Sequence, residues 1–401
     1  MLSVEEATQL ILHHPGRWGF ETVPLSQAWG RVLAEPLIAD RDFPPFNRAS
    51  MDGIAIDFHA FSSGSREFAV QAIQAAGMPP LRLENAADCL EIMTGAILPD
   101  GTDTVIRYED LDLKDGRARL TTEDIRKGQN AHPKGADRKE GEQIVPAGTR
   151  LGAAELGIAA TIGKTILSVF RRPRIALIAT GDELVPVESS PLPHQVRTSN
   201  IYALQGLFQS WHIDAALLHI SDDREEIRKK LGEALDQHDV LVLSGGVSAG
   251  KFDYVPEVLE ELGVRKIFHK VQQRPGKPFW FGVAEGKTVF ALPGNPVSSF
   301  MCTVRYIQPW LRSSLSMQAL TPLLCALETD YSFTPSLTFF LQVKVFTAPD
   351  GRLIGQPRTG KGSGDLANLA DADGFLELPA SQTSFPAGSA FPLWLYRSIQ
   401  D

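Results

Sequence analysis

Three short apolar runs in the middle of the chain each end in a glycine-bearing polar loop, and few folds accommodate that repetition. Arg174-Ile-Ala-Leu-Ile-Ala179 leads into Thr180-Gly181-Asp182-Glu183. Asp239-Val-Leu-Val-Leu243 leads into Ser244-Gly245-Gly246-Val247-Ser248, with Asp253 close behind. Thr288-Val-Phe-Ala-Leu292 leads into Pro293-Gly294-Asn295-Pro296-Val297-Ser298-Ser299, which opens a helical stretch. β-Branched runs alternating with helical patterns imply a parallel, doubly wound sheet. Ligands of such sheets sit beyond the carboxyl ends of the strands. Glycine there lets the backbone come close to a ligand, and successive free N–H groups make an anion nest. Glu183 and Asp253 repel a bare phosphate unless a cation stands between. The expected ligand is therefore an organic phosphate with a divalent metal.

With 401 residues the chain is too long for one ordinary core, and two to four domains are expected. A net charge of −9 argues against a general nucleic-acid or anionic-membrane binder. The three cysteines, Cys89, Cys302 and Cys325, have no metal-like spacing and cannot all pair, which suits a reduced, cytoplasmic compartment. No basic region followed by an apolar core opens the sequence, and no apolar run approaches membrane-spanning length. Ser3-Val-Glu-Glu6 has capping-box spacing before a helical pattern, a second short helix is expected over Leu25 to Leu33, and another over Ala153 to Gly163. Residues 42–137 are rich in turns with short strand-like runs. After Trp310 the pattern becomes strand and turn to the end.

Several of these segments together resemble one family. Asp42-Phe-Pro-Pro-Phe-Asn-Arg-Ala-Ser-Met-Asp52-Gly53 is similar to the opening signature of the MoeA family, the molybdopterin molybdenumtransferases, which also includes the C-terminal domain of gephyrin. Met93-Thr94-Gly95-Ala96, Thr180-Gly-Asp-Glu-Leu184, Ser244-Gly-Gly-Val-Ser248, Arg274-Pro-Gly-Lys-Pro278 and Leu292-Pro-Gly-Asn-Pro296 follow in the family's order. The resemblance implies a multidomain α/β and β fold: a doubly wound α/β molybdopterin-binding domain (MogA-like), a β-rich inserted domain, a small helical linking domain and a C-terminal β-barrel domain. The expected boundaries are 1–41 with 138–172 for the linking domain, 42–137 for the insert, 173–318 for the α/β domain and 319–401 for the barrel. The resemblance also implies an L-shaped homodimer that inserts molybdate into adenylylated molybdopterin with Mg²⁺ present and AMP released. Transient contact with molybdopterin adenylyltransferase and molybdopterin-supplying proteins goes with it.

Carried over residue by residue, the resemblance makes Asp52, Thr94, Asp137, Glu183, Asp222, Asp253 and Lys277 the expected catalytic set, with Glu183 and Asp253 on the metal. Substrate binding falls to Thr180, Gly181, Ser244, Gly245, Gly246, Ser248, Arg274, Pro293, Gly294, Asn295, Pro296, Ser298 and Ser363. Departures are visible. The family's first lysine of Lys-Pro-Gly-Lys-Pro is Arg274, the segment usually reading Arg-Asp-Ser-Asn is Arg197-Thr-Ser-Asn200, and Ser336-Leu-Thr-Phe-Phe-Leu-Gln342 lacks the arginine common there. Structural readings compete at single residues. Glu183 suits a helix start, Asp253 an N-cap, and Asp222 with Glu225 a capping box. The basic loop His132–Lys139 suits either a solvated face or a reach into a partner subunit.

Molybdate and phosphate are dianions, so bringing them together requires cations: a metal on carboxylates, plus Lys277 and Arg274. No Cys or Ser-His-Asp constellation supplies a nucleophile. Three other functions share these features: a molybdopterin-binding scaffold without turnover, a tungstate-selective variant and an adenylyltransferase. The last is usually a lone α/β unit, which this chain is not.

Overall fold

The protein is described by a computed structural model covering residues 1–247 and 254–399. The chain forms two compact units. The larger comprises Met1–Ala34, Gly148–Gly152 and Leu167–Asp401, and the smaller Glu35–Ala147 with Ala153–Ile166.

At the centre of the larger unit is a six-stranded sheet. Its strands are β1 (Ile175–Thr180), β2 (Ala215–Ile220), β3 (Val240–Ser244), β4 (Arg265–His269), β5 (Trp280–Ala284) and β6 (Lys287–Leu292), in the spatial order β2-β1-β3-β6-β5-β4. The first four in that order run parallel, as the sequence implies. The other two are antiparallel additions, because β5 and β6 form a hairpin about Glu285-Gly286 and β4 pairs with β5. Helices α1 (Asn200–Ser210), α2 (Arg224–Gln237), α3 (Val255–Glu261) and α4 (Pro296–Cys302) connect or follow these strands. Strand residues alternate between two cores. Leu177, Ala179, Val242, Phe290 and Leu292 face one, and Ala176, Ile178, Leu241, Leu243, Val289 and Ala291 face the other. A sheet covered on both faces needs a continuous apolar run, not an alternating one.

In the same unit five strands close a barrel: β7 (Leu323–Leu327), β8 (Thr338–Thr347), β9 (Leu353–Pro357), β10 (Gly374–Leu378) and β11 (Ala390–Leu395). They pair as β8-β9-β7-β11-β10 and back to β8, around a core that includes Leu327, Leu341, Val343, Leu376 and Leu393. Closure removes the sheet's free edges. Phe340, Phe375 and Trp394 join the α/β core, so barrel and sheet share apolar packing. The N-terminal helix Val4–Leu12 carries the expected capping box at Ser3 and Glu6 and buries Val4, Ala7 and Ile11 in that core. The helix expected over Leu25 to Leu33 is absent. A single 3₁₀ turn, Leu25–Gln27, is followed by bridges from Val32 to Arg150 and Leu33 to Val169, where extended pairing overrides local propensity.

The smaller unit is β-rich. Thr104–Arg107, Gly53–Ile56, Cys89–Ile92, Glu67–Gln74, Arg117–Leu120 and Leu111–Lys114 lie side by side in that order, with Ile54, Ile56, Phe68, Cys89 and Ile106 in one core. The helix Ala153–Thr161 belongs to this unit.

Candidate functional site

The loops after β1, β3 and β6 meet at the carboxyl edge of the sheet. Gly181, Gly245 and Gly246 hold φ values of +144°, +108° and +68°, conformations that a side chain disfavours. A Cβ on Gly245 would stand 2.8 Å from the Thr180 carbonyl oxygen, and one on Gly294 would stand 3.5 Å from the Gly245 Cα. Gly245 therefore lets two protein loops pass each other. Its N–H donates to the Leu292 carbonyl at 3.1 Å, so this amide serves the fold and not an anion nest. Asn200, at the start of α1, donates to Ser244 Oγ at 2.9 Å and to the Gly294 carbonyl at 2.7 Å, clasping the second and third loops.

Thr180, Gly181, Glu183, Asn200, Asp222, Ser244, Gly245, Gly246, Pro293, Gly294, Asn295 and Pro296 all line one cavity of about 750 Å³. Within it the Thr180 hydroxyl is buried and has no partner among the described residues, which leaves a donor and acceptor for a ligand. The Glu183 side chain is exposed. Asp222 receives a long contact from the Asp182 N–H at 3.4 Å, and its own N–H donates to Asp182 Oδ1 at 2.9 Å. The capping role expected of Asp222 belongs to its neighbour: Asp223 accepts from the Glu226 N–H at 2.9 Å and starts α2. The register is one residue later, which leaves Asp222 at the cavity wall. Ser248 and Asp253 lie outside the described residues.

A second cavity of about 580 Å³ adjoins the first, sharing Pro278, Pro293 and Asn295 as walls. Arg274, Lys277 and Arg358 line it, with Ser298 and Ser363, and among the described residues no carboxylate does. The cations are placed from below. Gln273–Arg274 runs parallel to Thr338–Phe339 of β8. The fully buried Gln273 donates to the Gly276 carbonyl at 3.0 Å and accepts from the Tyr306 hydroxyl. Cys302 packs beneath, its thiol pushed up to about 12 by burial, so it stays protonated. Asn295 Nδ2 donates to Ser363 Oγ at 2.8 Å, and Ser363 O accepts from the Val297 N–H at 3.1 Å. The barrel thus contributes to this cavity through Arg358 and Ser363 as well as through an aromatic stack in which Phe333 and Phe339 lie 4.2 Å apart. Gln342, also at its wall, has a buried Oε1 without a partner among the described residues.

The smaller unit holds the remaining predicted residues. Thr94 donates to Asp52 Oδ1 from its backbone N–H at 2.6 Å and from its hydroxyl at 2.7 Å. These bonds, the backbone one first, hold the Asp52 carboxyl below its ordinary pKa. Asp137 Oδ1 lies 2.9 Å from His132 Nε2, and the Asp137 N–H donates to the Phe43 carbonyl at 2.8 Å. Asp52 with Thr94 and Asp137 with His132 are thus two separate pairs.

Sequence reasoning missed Asn200 as a clasp, although it ends the Arg197–Asn200 segment, and missed Arg358 altogether. An arginine in a barrel loop carries no local signal.

Fold and site together define a multidomain protein whose MogA-like α/β domain presents a pocket of strand-end loops beside a cationic cavity. Family comparison makes this specific. Residues 2–163 match the MoeA N-terminal region (domain I and II), residues 176–313 a probable molybdopterin binding domain, and residues 326–396 the MoeA C-terminal region (domain IV). The molybdopterin molybdenumtransferase of Synechocystis is 41% identical over 99% of this chain and 100% of its own. That of Staphylococcus epidermidis is 30% identical over 99% and 96%. The crystal structure of a molybdopterin biosynthesis MoeA protein from Pyrococcus horikoshii superposes with a TM-score of 0.84 at 29% identity, over 99% of this chain and 100% of that one. The chain belongs to the MoeA family of molybdopterin molybdenumtransferases, enzymes of molybdenum cofactor biosynthesis.

Proposed function

We propose that this enzyme inserts molybdate into adenylylated molybdopterin and releases AMP, in a magnesium-dependent reaction. The observation that carries the reading is the pair of adjoining cavities. One is walled by strand-end loops and carries Glu183 and Asp222, and the other has three cations and, among the described residues, no carboxylate. The first suits an organic phosphate and the second a small oxyanion. A dianion is stabilised by guanidinium and ammonium donors and repelled by carboxylates. Lys277 and Arg274, on a loop held by Gln273, keep the oxyanion beside the phosphate ligand that it would otherwise repel.

Among the described residues no cluster of three or more metal-capable side chains exists. Magnesium takes one or two carboxylates and completes its shell with water and substrate phosphate oxygens. Glu183 and Asp253 would hold it, and when bound it neutralises charge on the leaving phosphate. The unpartnered Thr180 hydroxyl and Ser244 orient the phosphate end. Asp52, Thr94 and Asp137 complete the proposed catalytic set, in a homodimer.

The test is paired: affinity for adenylylated molybdopterin by calorimetry, and AMP release with molybdate, on folded variants. Glu183→Gln should bind as well or better and lose roughly 10²-fold in AMP release, the scale of a preorganised electrostatic group. Lys277→Met should raise the molybdate concentration needed for half-maximal turnover. Normal AMP release and normal molybdate dependence in both variants would overturn the reading.

A further inference from the structure

Four arginines outside the site just described converge on a small cavity within the larger unit. Arg31, Arg150, Arg172 and Arg312 line it together with Trp211 and Leu315, and among the described residues no carboxylate does. The segments that supply them are far apart in sequence. The cavity has a volume of about 20 Å³, a little more than a single water requires.

The donors are only partly used. Arg31 is 9% exposed, and its Nη2 donates to Glu21 at 2.5 Å and to the Phe170 carbonyl at 3.1 Å. Its Nε is buried with no partner among the described residues, and so is the Nε of Arg150. Arg312 directs Nε and Nη2 to the Gln318 carbonyl, at 3.1 and 2.9 Å. Glu21 pairs with Arg31, but the guanidiniums of the cluster still act on one another as like charges. Burial and Arg312 both depress the Arg150 guanidinium, and no carboxylate offsets them. Arg172 is depressed chiefly by burial and by Arg31, with Asp214 and Glu21 acting in opposition and Arg150 adding the smallest share of the depression. His212 beside the cluster is held below its ordinary value by burial, Arg150 and Arg172. Half-buried guanidiniums that repel one another and leave N–H groups unbonded are costly unless an anion joins them.

We propose that this cavity binds a small inorganic anion, between a halide and a tetrahedral oxyanion in size, held by the Nε groups of Arg31 and Arg150. The anion joins residues 31, 150, 172 and 312, so it acts as a non-covalent cross-link in the larger unit. Its first readout is therefore stability and not turnover.

Two measurements decide it. Crystals of the full chain grown without halide or oxyanion and soaked in bromide or in selenate should show an anomalous peak within hydrogen-bond reach of both Nε atoms. A bromide peak assigns a halide site and a selenate peak an oxyanion site; no peak with either ion overturns the proposal. In solution, replacing gluconate, too large for the cavity, by chloride or sulfate at constant ionic strength should raise Tm by about 2–4 °C in the parent protein. The rise should vanish in Arg150→Met. An equal rise in both proteins would mark a general salt effect and overturn the site. Should Arg150→Met not fold, Arg172→Gln takes its place, and the diffraction result stands independently.

Discussion

Asp52 is exposed, yet one of its oxygens accepts two hydrogen bonds from Thr94. Both bonds favour the ionised form, which is why its carboxyl sits below the ordinary range. The sign for stability follows. A folded-state pKa below the unfolded one contributes stability that is present above the unfolded pKa and lost as pH falls through the folded value. At neutral pH Asp52 is a fixed anion aimed by Thr94. Thr94→Val removes the hydroxyl but keeps the N–H, the larger of the two causes. The Asp52 carboxyl titration, followed by NMR, should therefore move part of the way back toward an ordinary aspartate. An unchanged midpoint would mean that the hydroxyl contributes nothing. The sequence could not show this pairing, since Asp52 and Thr94 are 42 positions apart and each reads locally as a turn or strand-end residue.

Among the elements, the glycine loops illustrate how two reasons can share one residue. A glycine after a strand reads equally as a ligand approach and as a packing necessity, and the spacing alone does not separate them. Gly245 has φ +108° and would press a Cβ onto the Thr180 backbone, whereas a Cβ on Gly294 meets only ordinary van der Waals contact. Gly245→Ala should therefore destabilise the protein by about 1–3 kcal/mol, as a strained backbone position does. Gly294→Ala should leave the melting temperature nearly unchanged and weaken adenylylated molybdopterin instead. If chemical denaturation finds the two variants equally stable, the packing argument for Gly245 fails. The strands themselves were legible because a sheet buried on both faces writes a continuous apolar run. The barrel was expected from the family resemblance and not from its strand pattern, and the antiparallel β4 and β5 were not legible, because they depend on pairings between separate segments. The support beneath Lys277 is of the same kind: Gln273 is polar in sequence and fully buried in the fold. Gln273→Ala leaves the Tyr306 hydroxyl and the Gly276 carbonyl without their partner, a cost of about 1–3 kcal/mol. It should also shift the molybdate dependence of turnover as Lys277→Met does, although Gln273 carries no charge.

For the molecule as a whole, charge and apolar surface point in different directions. A net charge of −9 keeps separate chains apart in dilute solution. Among the described residues no helix is long and apolar enough to cross a membrane. The single chain nevertheless exposes large apolar side chains, with Phe20 at 72%, Leu324 at 66%, Ile166 at 58% and Trp29 at 54%. Scattered exposed side chains are ordinary, so this observation alone does not demand a partner. The family resemblance supplies the stronger reason for a homodimer. If the larger and smaller units both serve the reaction through a second copy, association and turnover should rise together with concentration. Light scattering at micromolar concentration should give twice the single-chain 43.8 kDa. Raising the salt to screen like charges should tighten the association, since two chains of the same sign repel more at low ionic strength. A mass that stays at the single-chain value across that range, with AMP release per chain independent of dilution, would show that one chain suffices.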